Sequence, residues 1–286
     1  MIDAKGWNDL AAVQDQLGDK NNLLIIDGNN LAYRWIQRKN YNHFEEDYIR
    51  TIESLGNSYK ASRIIVCFDF GKSYYRINIS DDYKGTRKKP TDEEEIKKYQ
   101  EFFDCLNAVY DELTYDKHKY RGIEADDLMT FLVLKLSASY EHTWIMSSDR
   151  DLYQLVDDNV SIYNIFSRRE IDLKYLQDTF EITPTQYLLS RYIEGDKSDA
   201  IIGVDGIGPK RAQGLAKQYN SLTALVKALP VKGKSKYIQN LNQSKKLLER
   251  NEQMINLTKY NKNAIIAGKD GEEVWKGLNK YVEFRN

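Results

Sequence analysis

The sequence predicts an α/β protein, a parallel sheet flanked by helices with a helical subdomain after it, on three observations. Three short apolar runs each end in a polar cluster, helical patterns lie between them, and after Pro184 strand signals stop while glycine-punctuated helices continue. Apolar runs bounded in this way read as strands buried on both faces, and alternation with helices implies βαβ units.

The strands are LLIIDGNN over 23–30, RIIVCFDF over 63–70 and HTWIMSSDRD over 142–151. Asp47–Tyr59 is a helix because Tyr48, Ile52, Leu55 and Tyr59 recur at spacings of three and four. Asp92–Leu106 is a second, with Ile96, Tyr99, Phe102, Phe103 and Leu106 on one stripe. Glu124–Ser137 is a third, acidic at its start and apolar thereafter. Residues 1–185 are expected to form the sheet domain, 186–250 the helical subdomain with no strand, and 251–286 a segment packing back on the sheet domain. The connection from Gly71 to about Pro90 is polar, basic and aromatic, and a loop of that length in a compact domain is usually functional.

Hydrophobic residues make up 41% of 286 positions, enough for a sizeable core. No stretch approaches the roughly 20 apolar residues that cross a bilayer, and no basic-then-apolar leader opens the chain, so a cytoplasmic protein without a membrane partner is expected. Cys67 and Cys105 sit in apolar contexts and read as buried thiols; the three histidines are far apart. A metal would therefore be held by oxygen. The net charge of −1 decides nothing about nucleic acid, because acids cluster in short motifs while bases gather in Lys84–Lys89 and Lys210–Lys236.

Nine carboxylates stand at element ends. Asp27 and Asp69 close the first two strands, Glu124, Asp126 and Asp127 open a helix, Asp149 and Asp151 follow the third strand, and Asp196 and Asp199 sit in GDKSD. In an open α/β sheet such positions converge beyond the carboxyl ends of the strands. Taken singly each has a plain structural reading as a turn, cap or helix-dipole partner. Together they would repel one another strongly unless hard divalent cations neutralise them. Two Mg²⁺ (or Mn²⁺) ions in such a site can activate water and stabilise an in-line displacement at phosphorus.

In GVDGIGPKRA (203–212), Pro209 stands where a P-loop has lysine, and no strand precedes the glycines as a dinucleotide fingerprint requires. A helix–hairpin–helix turn fits better. Gly206 and Gly208 allow a tight backbone, Pro209 starts the next helix, and its amides with Lys210 and Arg211 suit a DNA phosphate without reading sequence.

In this order, DGNN, the FD of VCFDF, GIEADD, SSDRD, GDKSD and GVDGIGPKRA resemble the 5′-nuclease superfamily of flap endonucleases and polymerase 5′-exonuclease domains. With KYIQNLNQS (236–244) and no attached polymerase, the chain looks most like a stand-alone bacteriophage flap endonuclease. The resemblance spans residues 23 to 250 and implies a PIN-like nuclease domain with a helical arch over about 71–106. It implies that Asp27, Asp69, Glu124 and Asp126 surround a first metal ion and Asp149, Asp151 and Asp196 a second, with Asp127 and Asp199 nearby. It implies that Tyr83, Lys84 and Arg87 form the arch base and that Lys84 and Arg87 stabilise the scissile phosphate. Arg191, Lys210 and Lys236 match DNA-contact positions, and a K⁺ ion is expected at the hairpin carbonyls. Pro90 departs from a continuous arch helix, so that helix is expected to begin near Pro90, whether the arch threads a strand or clamps it. Tyr74, Tyr75 and Tyr83 are expected to stack on single-strand bases.

The implied activity is hydrolysis of 5′ flaps, single-strand/duplex junctions and 5′ ends of DNA by a monomer, with replication proteins as partners. Asp126 or another first-metal acid positions the attacking water. A ribonuclease acting on RNA–DNA hybrid primers and an inactive branched-DNA-binding protein are the two rival readings.

Overall fold

The computed structural model describes residues 21–87 and 90–283. Six strands, β1 (Asn22–Asp27), β2 (Ala61–Phe68), β3 (Asp116–Lys119), β4 (His142–Met146), β5 (Val160–Asn164) and β6 (Arg169–Ile171), form one sheet. Their order is β3-β2-β1-β4-β5-β6, parallel throughout except for β6, which runs antiparallel to β5. β1 is central because all six of its residues are buried: Leu23 and Ile25 enter one core, Leu24 and Ile26 the other. The helices Phe44–Ser58 and Glu93–Glu112 cover the second face through Tyr48, Ile52, Phe102 and Leu106. The helix Ala125–Leu136 covers the first, with Ile265 and Leu278 of two later helices in the same core.

The three expected strands are present but shorter, ending at Asp27, Phe68 and Met146. The polar tails of the first and third are caps. Asp27 accepts from the Asn30 amide at 2.9 Å and starts a helix at once, and Asp149 caps the 3₁₀ turn Arg150–Leu155. β3, β5 and β6 carry no clear strand pattern in the sequence. The helix expected from near Pro90 starts at Glu93, capped by Asp92, and runs to Glu112. Of its expected apolar stripe Phe102 and Leu106 are buried, whereas Ile96 and Phe103 are partly exposed, at 46% and 37%. Cys67 is buried but Cys105 only half-buried, and both are free thiols. No helix among the described residues is long and apolar enough to cross a membrane. The first 20 residues of the expected 1–185 unit, and Lys88 and Lys89 of the expected basic run, lie outside the described residues.

A third core, including Tyr192, Ile193, Leu215, Leu225 and Leu248, belongs to the helical part. No strand is expected there, yet Gly195–Asp196 (β7) and Ile201–Ile202 (β8) pair as a short antiparallel ribbon that holds the GDKSD acids in a tight loop. The ribbon depends on Gly203, where a Cβ would lie 1.9 Å from the Glu194 carbonyl oxygen. Gly203→Ala is expected to destabilise the fold by about 3 kcal/mol, since backbone must move to admit one methyl group. An unchanged denaturant midpoint would contradict this packing.

Candidate active site

The strand ends and the helix that begins at Ala125 deliver the first group of acids. Asp27 accepts the Ser147 hydroxyl proton at 2.9 Å, which ties β1 to β4, and Asp69 accepts from the Ala125 amide at 2.7 Å. Glu124, Asp126 and Asp127 bring one carboxylate oxygen each within 4.8 Å of one another, a spacing suited to a metal ion. Burial, reinforced by Asp69, pushes the Asp27 carboxyl up to about 7, and burial with Glu124 pushes Asp69 up to about 6. Burial holds Asp126 well above the usual carboxylate range, with Asp127 and Glu124 adding to it. Glu124 is the exception: burial acts upward, but Lys84 and Arg76 prevail and hold it low.

Asp127 is also tied to a cation. Arg76 donates to both its oxygens, at 2.7 and 2.9 Å, and reaches Glu124 at 3.4 Å and the Met254 carbonyl at 3.0 Å. With Asp127 fully buried, this two-pronged pair ties the carboxylate to Arg76 while it stays grouped with Glu124 and Asp126. Arg76 itself escaped notice in the sequence. It lies in the polar, basic and aromatic connection after the second strand, yet it is buried within the short helix Tyr74–Ile79.

Asp149, Asp151, Asp196 and Asp199 gather around the β7–β8 loop. Burial and the neighbouring Asp149 and Asp196 push Asp151 up to about 7 against the pull of Arg191, and burial raises Asp149 as well. In Asp196 the upward effect of burial is overcome by Ser198 and Arg191, and the group is held low. Arg191 is expected on a DNA surface. Its guanidinium lies 3.1 Å from Asp151 and is hydrogen-bonded to Asp196, because those acids attract the nearest cation.

The connection after β2 docks on the same loop. The Lys84 amide donates to the Asp199 carbonyl at 3.0 Å, and Thr86 Oγ1 to the Lys197 carbonyl at 3.2 Å. Lys84 Nζ is 2.6 Å from Glu124 Oε1, and Arg87 Nη2 is 2.7 Å from Asp199 Oδ1. Tyr83, expected to stack on DNA bases, is only 1% exposed; its hydroxyl donates to Glu124 at 2.7 Å while its ring joins the helical core. Tyr75 is half-buried against Tyr260, and Tyr74 is the most exposed of the three at 36%.

At the glycine turn, Gly206 has φ +79°, which favours glycine, and Gly208 is the extended N-cap of the helix Pro209–Tyr219. The need for a left-handed residue therefore rests on Gly206 alone; at Gly208 a Cβ would meet open space. Lys210, Arg211 and Lys236 are exposed beside it. Arg211 donates to the Gly206 carbonyl at 2.7 Å and lies over the Tyr237 ring, while Asn240 donates to Asp205, so the 203–212 and 236–244 segments form one surface.

Carboxylates crowded at the edge of a parallel sheet, cations drawn among them and a hairpin with exposed bases beside them define a nuclease-type phosphoryl-transfer site. Residues 22–181 match the 5′-3′ exonuclease N-terminal resolvase-like domain and residues 182–265 the 5′-3′ exonuclease C-terminal SAM fold. The chain belongs to the 5′-3′ exonuclease and flap endonuclease family. It is 34% identical to the flap endonuclease of Escherichia phage T5 over 92% of its own length and 93% of that protein's. Its fold is similar to that of the T5 D15 protein co-crystallized with metal ions, with a TM-score of 0.87 over 93% of this chain and all of that one. A D15 flap endonuclease pseudo-enzyme–product complex with DNA and metal ions, also 34% identical, matches with a TM-score of 0.86 over 92% of this chain and all of that one.

Proposed function

We propose that this chain is a divalent-metal-dependent, structure-specific 5′-nuclease that hydrolyses DNA at 5′ flaps, junctions and 5′ ends, leaving 5′-phosphate and 3′-hydroxyl products. The observation that carries the reading is the gathering of acids and cations at one site: Lys84 on Glu124 and Arg191 on Asp151 and Asp196, all largely buried, with the exposed Arg87 on Asp199 beside them. The donor set fits hard divalent ions. It is all carboxylate, and Asp27, Asp69, Asp126, Asp149 and Asp151 stay raised because burial outweighs the cations and hydrogen-bond donors nearby, so their charge is left for a further cation to balance.

On this reading Asp27, Asp69, Glu124 and Asp126 hold one Mg²⁺ (or Mn²⁺) and Asp149, Asp151 and Asp196 a second, with Asp199 acting through water. Bound there, the ions supply the charge that activates water and stabilises the attacking and leaving oxygens. Asp127 positions Arg76, and through it Glu124. Asp126 orients the attacking water. Lys84 and Arg87 turn from their acids to the scissile phosphate, a large electrostatic contribution in a site shielded from water. Gly206, Gly208, Lys210, Arg211 and Lys236 grip the downstream duplex, with K⁺ at the hairpin carbonyls, and Arg191 joins them once its acids are neutralised. The division is 1–185 for chemistry with the arch over 71–106, 186–250 for the duplex grip, and 251–286 as the packing segment. We place the protein as a monomer acting with replication proteins.

A 5′-labelled flap with matched DNA and RNA 5′ strands tests the reading. Cleavage of the DNA flap near the junction supports it, cutting of RNA alone would replace it with the ribonuclease reading, and tight binding without cutting in any divalent metal would leave a binding protein.

The raised carboxyls also set a pH dependence. Their folded-state values, about 7 for Asp27 and Asp151 and about 6 for Asp69, lie above the ordinary 3.8, so the folded protein binds more protons than the unfolded chain between about pH 4 and 7. Stability of the metal-free protein is therefore lost as pH rises through that window. In EDTA the Tm is expected to be lower at pH 7.5 than at pH 5.5, and Mg²⁺ is expected to narrow the gap by binding the ionised acids. A Tm in EDTA that rises with pH over that range would contradict these environments.

A further inference from the structure

Beside the acids lies a cavity of about 390 Å³ whose lining includes Asp69, Glu124, Tyr33, Phe70, Phe103 and Lys119. Among the described residues eight large apolar side chains are exposed, and three of them, Tyr33, Phe70 and Phe103, line this one cavity. Solvent-facing rings are ordinary when scattered; gathered at one polar site they mark a binding surface. Lys119 Nζ lies 5.5 Å from the Phe70 ring centroid and is held by Asn107 at 2.6 Å, while Lys84 and Arg87 close the rim. Aromatic faces interleaved with cations form the chemistry that takes a nucleobase and its flanking phosphate.

We propose that this cavity is a nucleobase subsite, in which Phe70 and Phe103 hold the base of the first unpaired nucleotide on the 5′ side of the cut while Lys119 faces its phosphate. The choice of nucleotide follows from stacking. Inside a duplex both faces of a base are covered by its neighbours, so only an unpaired base has a face free for a side-chain ring. At a flap junction the unpaired nucleotides lie on the 5′ side. The size agrees, since cavities that hold one small ligand run from roughly 300 to 1,000 Å³. Phe70 follows Asp69 directly, so a base held on its ring sets the distance between the strand and the acids. Phe70 and Phe103 are thus positioning residues that recognise single-strand character without reading sequence. This subsite rests on the 5′-nuclease reading above.

The test is a cycle between protein and substrate. Wild type and the Phe70→Ala/Phe103→Ala variant are compared on a flap carrying either a normal first unpaired nucleotide or an abasic analogue there. Phe70 and Phe103 are 47% and 37% exposed and stand outside the three cores, so the double variant should still fold. Removing the base is expected to lower kcat/KM of wild type roughly tenfold, as is removing the rings, because one stacked base is worth about that much. The two losses together should do no more than either alone. A 2-aminopurine at the same position, read in Ca²⁺, should be quenched on wild type and bright on the variant, and Phe70→Trp should restore quenching. Wild type indifferent to the abasic position, penalties that multiply, or a penalty at the first paired nucleotide instead would overturn the subsite while leaving the nuclease reading in place. Failure of wild type to cut the intact flap would sink both.

Discussion

Arg76→Ala is expected to destabilise the protein by about 3–5 kcal/mol, the usual effect of leaving a buried charge without its partner. Arg76 is 4% exposed and Asp127 fully buried, so removing the guanidinium leaves a buried carboxylate without its cation. The same change strips Glu124 of one of its two cations and leaves the Met254 carbonyl without its donor. For a chain of this size the loss should appear as a Tm lower by about 10 °C. A second variant separates stability from positioning. Arg76→Met combined with Asp127→Leu removes both charges and should recover part of the Tm, yet cleavage should stay depressed because Glu124 is no longer held. Full recovery of cleavage in that double variant would mean that Arg76 has no role at the site.

Asp126→Asn is expected to reduce cleavage by about 1,000-fold or more while leaving duplex binding within a few-fold of wild type. The substitution preserves shape and removes the charge that a metal ion and the attacking water both need. A bound ion contributes several kcal/mol to the transition state, and each 1.36 kcal/mol is tenfold in rate. Duplex binding should survive because Lys210, Arg211 and Lys236 lie on a separate exposed surface. A loss of binding that matches the loss of cleavage would show instead that Asp126 supports the fold. Lys84→Ala should act in the same direction with a smaller effect, about 100-fold, since one positioned cation is removed rather than an ion site.

The acids were legible in the sequence for a physical reason. A buried strand must shed its apolar character where it leaves the sheet, so Asp27 and Asp69 announce the sheet's edge by position alone. The glycine turn was legible in the same way, through Pro209 and the left-handed Gly206. What the residues could not announce were contacts made across the chain. Arg76 and Tyr83 sit in a polar, basic and aromatic stretch, and their burial depends on Asp127, Glu124 and a helical core more than forty residues away. Arg191 pairs with Asp151, forty positions earlier. β3, reading Asp-Lys-His-Lys, is an edge strand that pairs only with β2 and carries little apolar pattern. The partial exposure of the helix Glu93–Glu112 was hidden too, since periodicity reveals an apolar stripe and not whether anything covers it.

The most direct test of the central claim is cleavage of a 5′-labelled DNA flap with and without Mg²⁺, run beside Asp151→Ala. Cutting near the junction that requires the metal, yields a 5′-phosphate and disappears in the variant is the predicted result. Cutting that persists in EDTA or in Asp151→Ala, or tight binding with no cutting in Mg²⁺ or Mn²⁺, would contradict it.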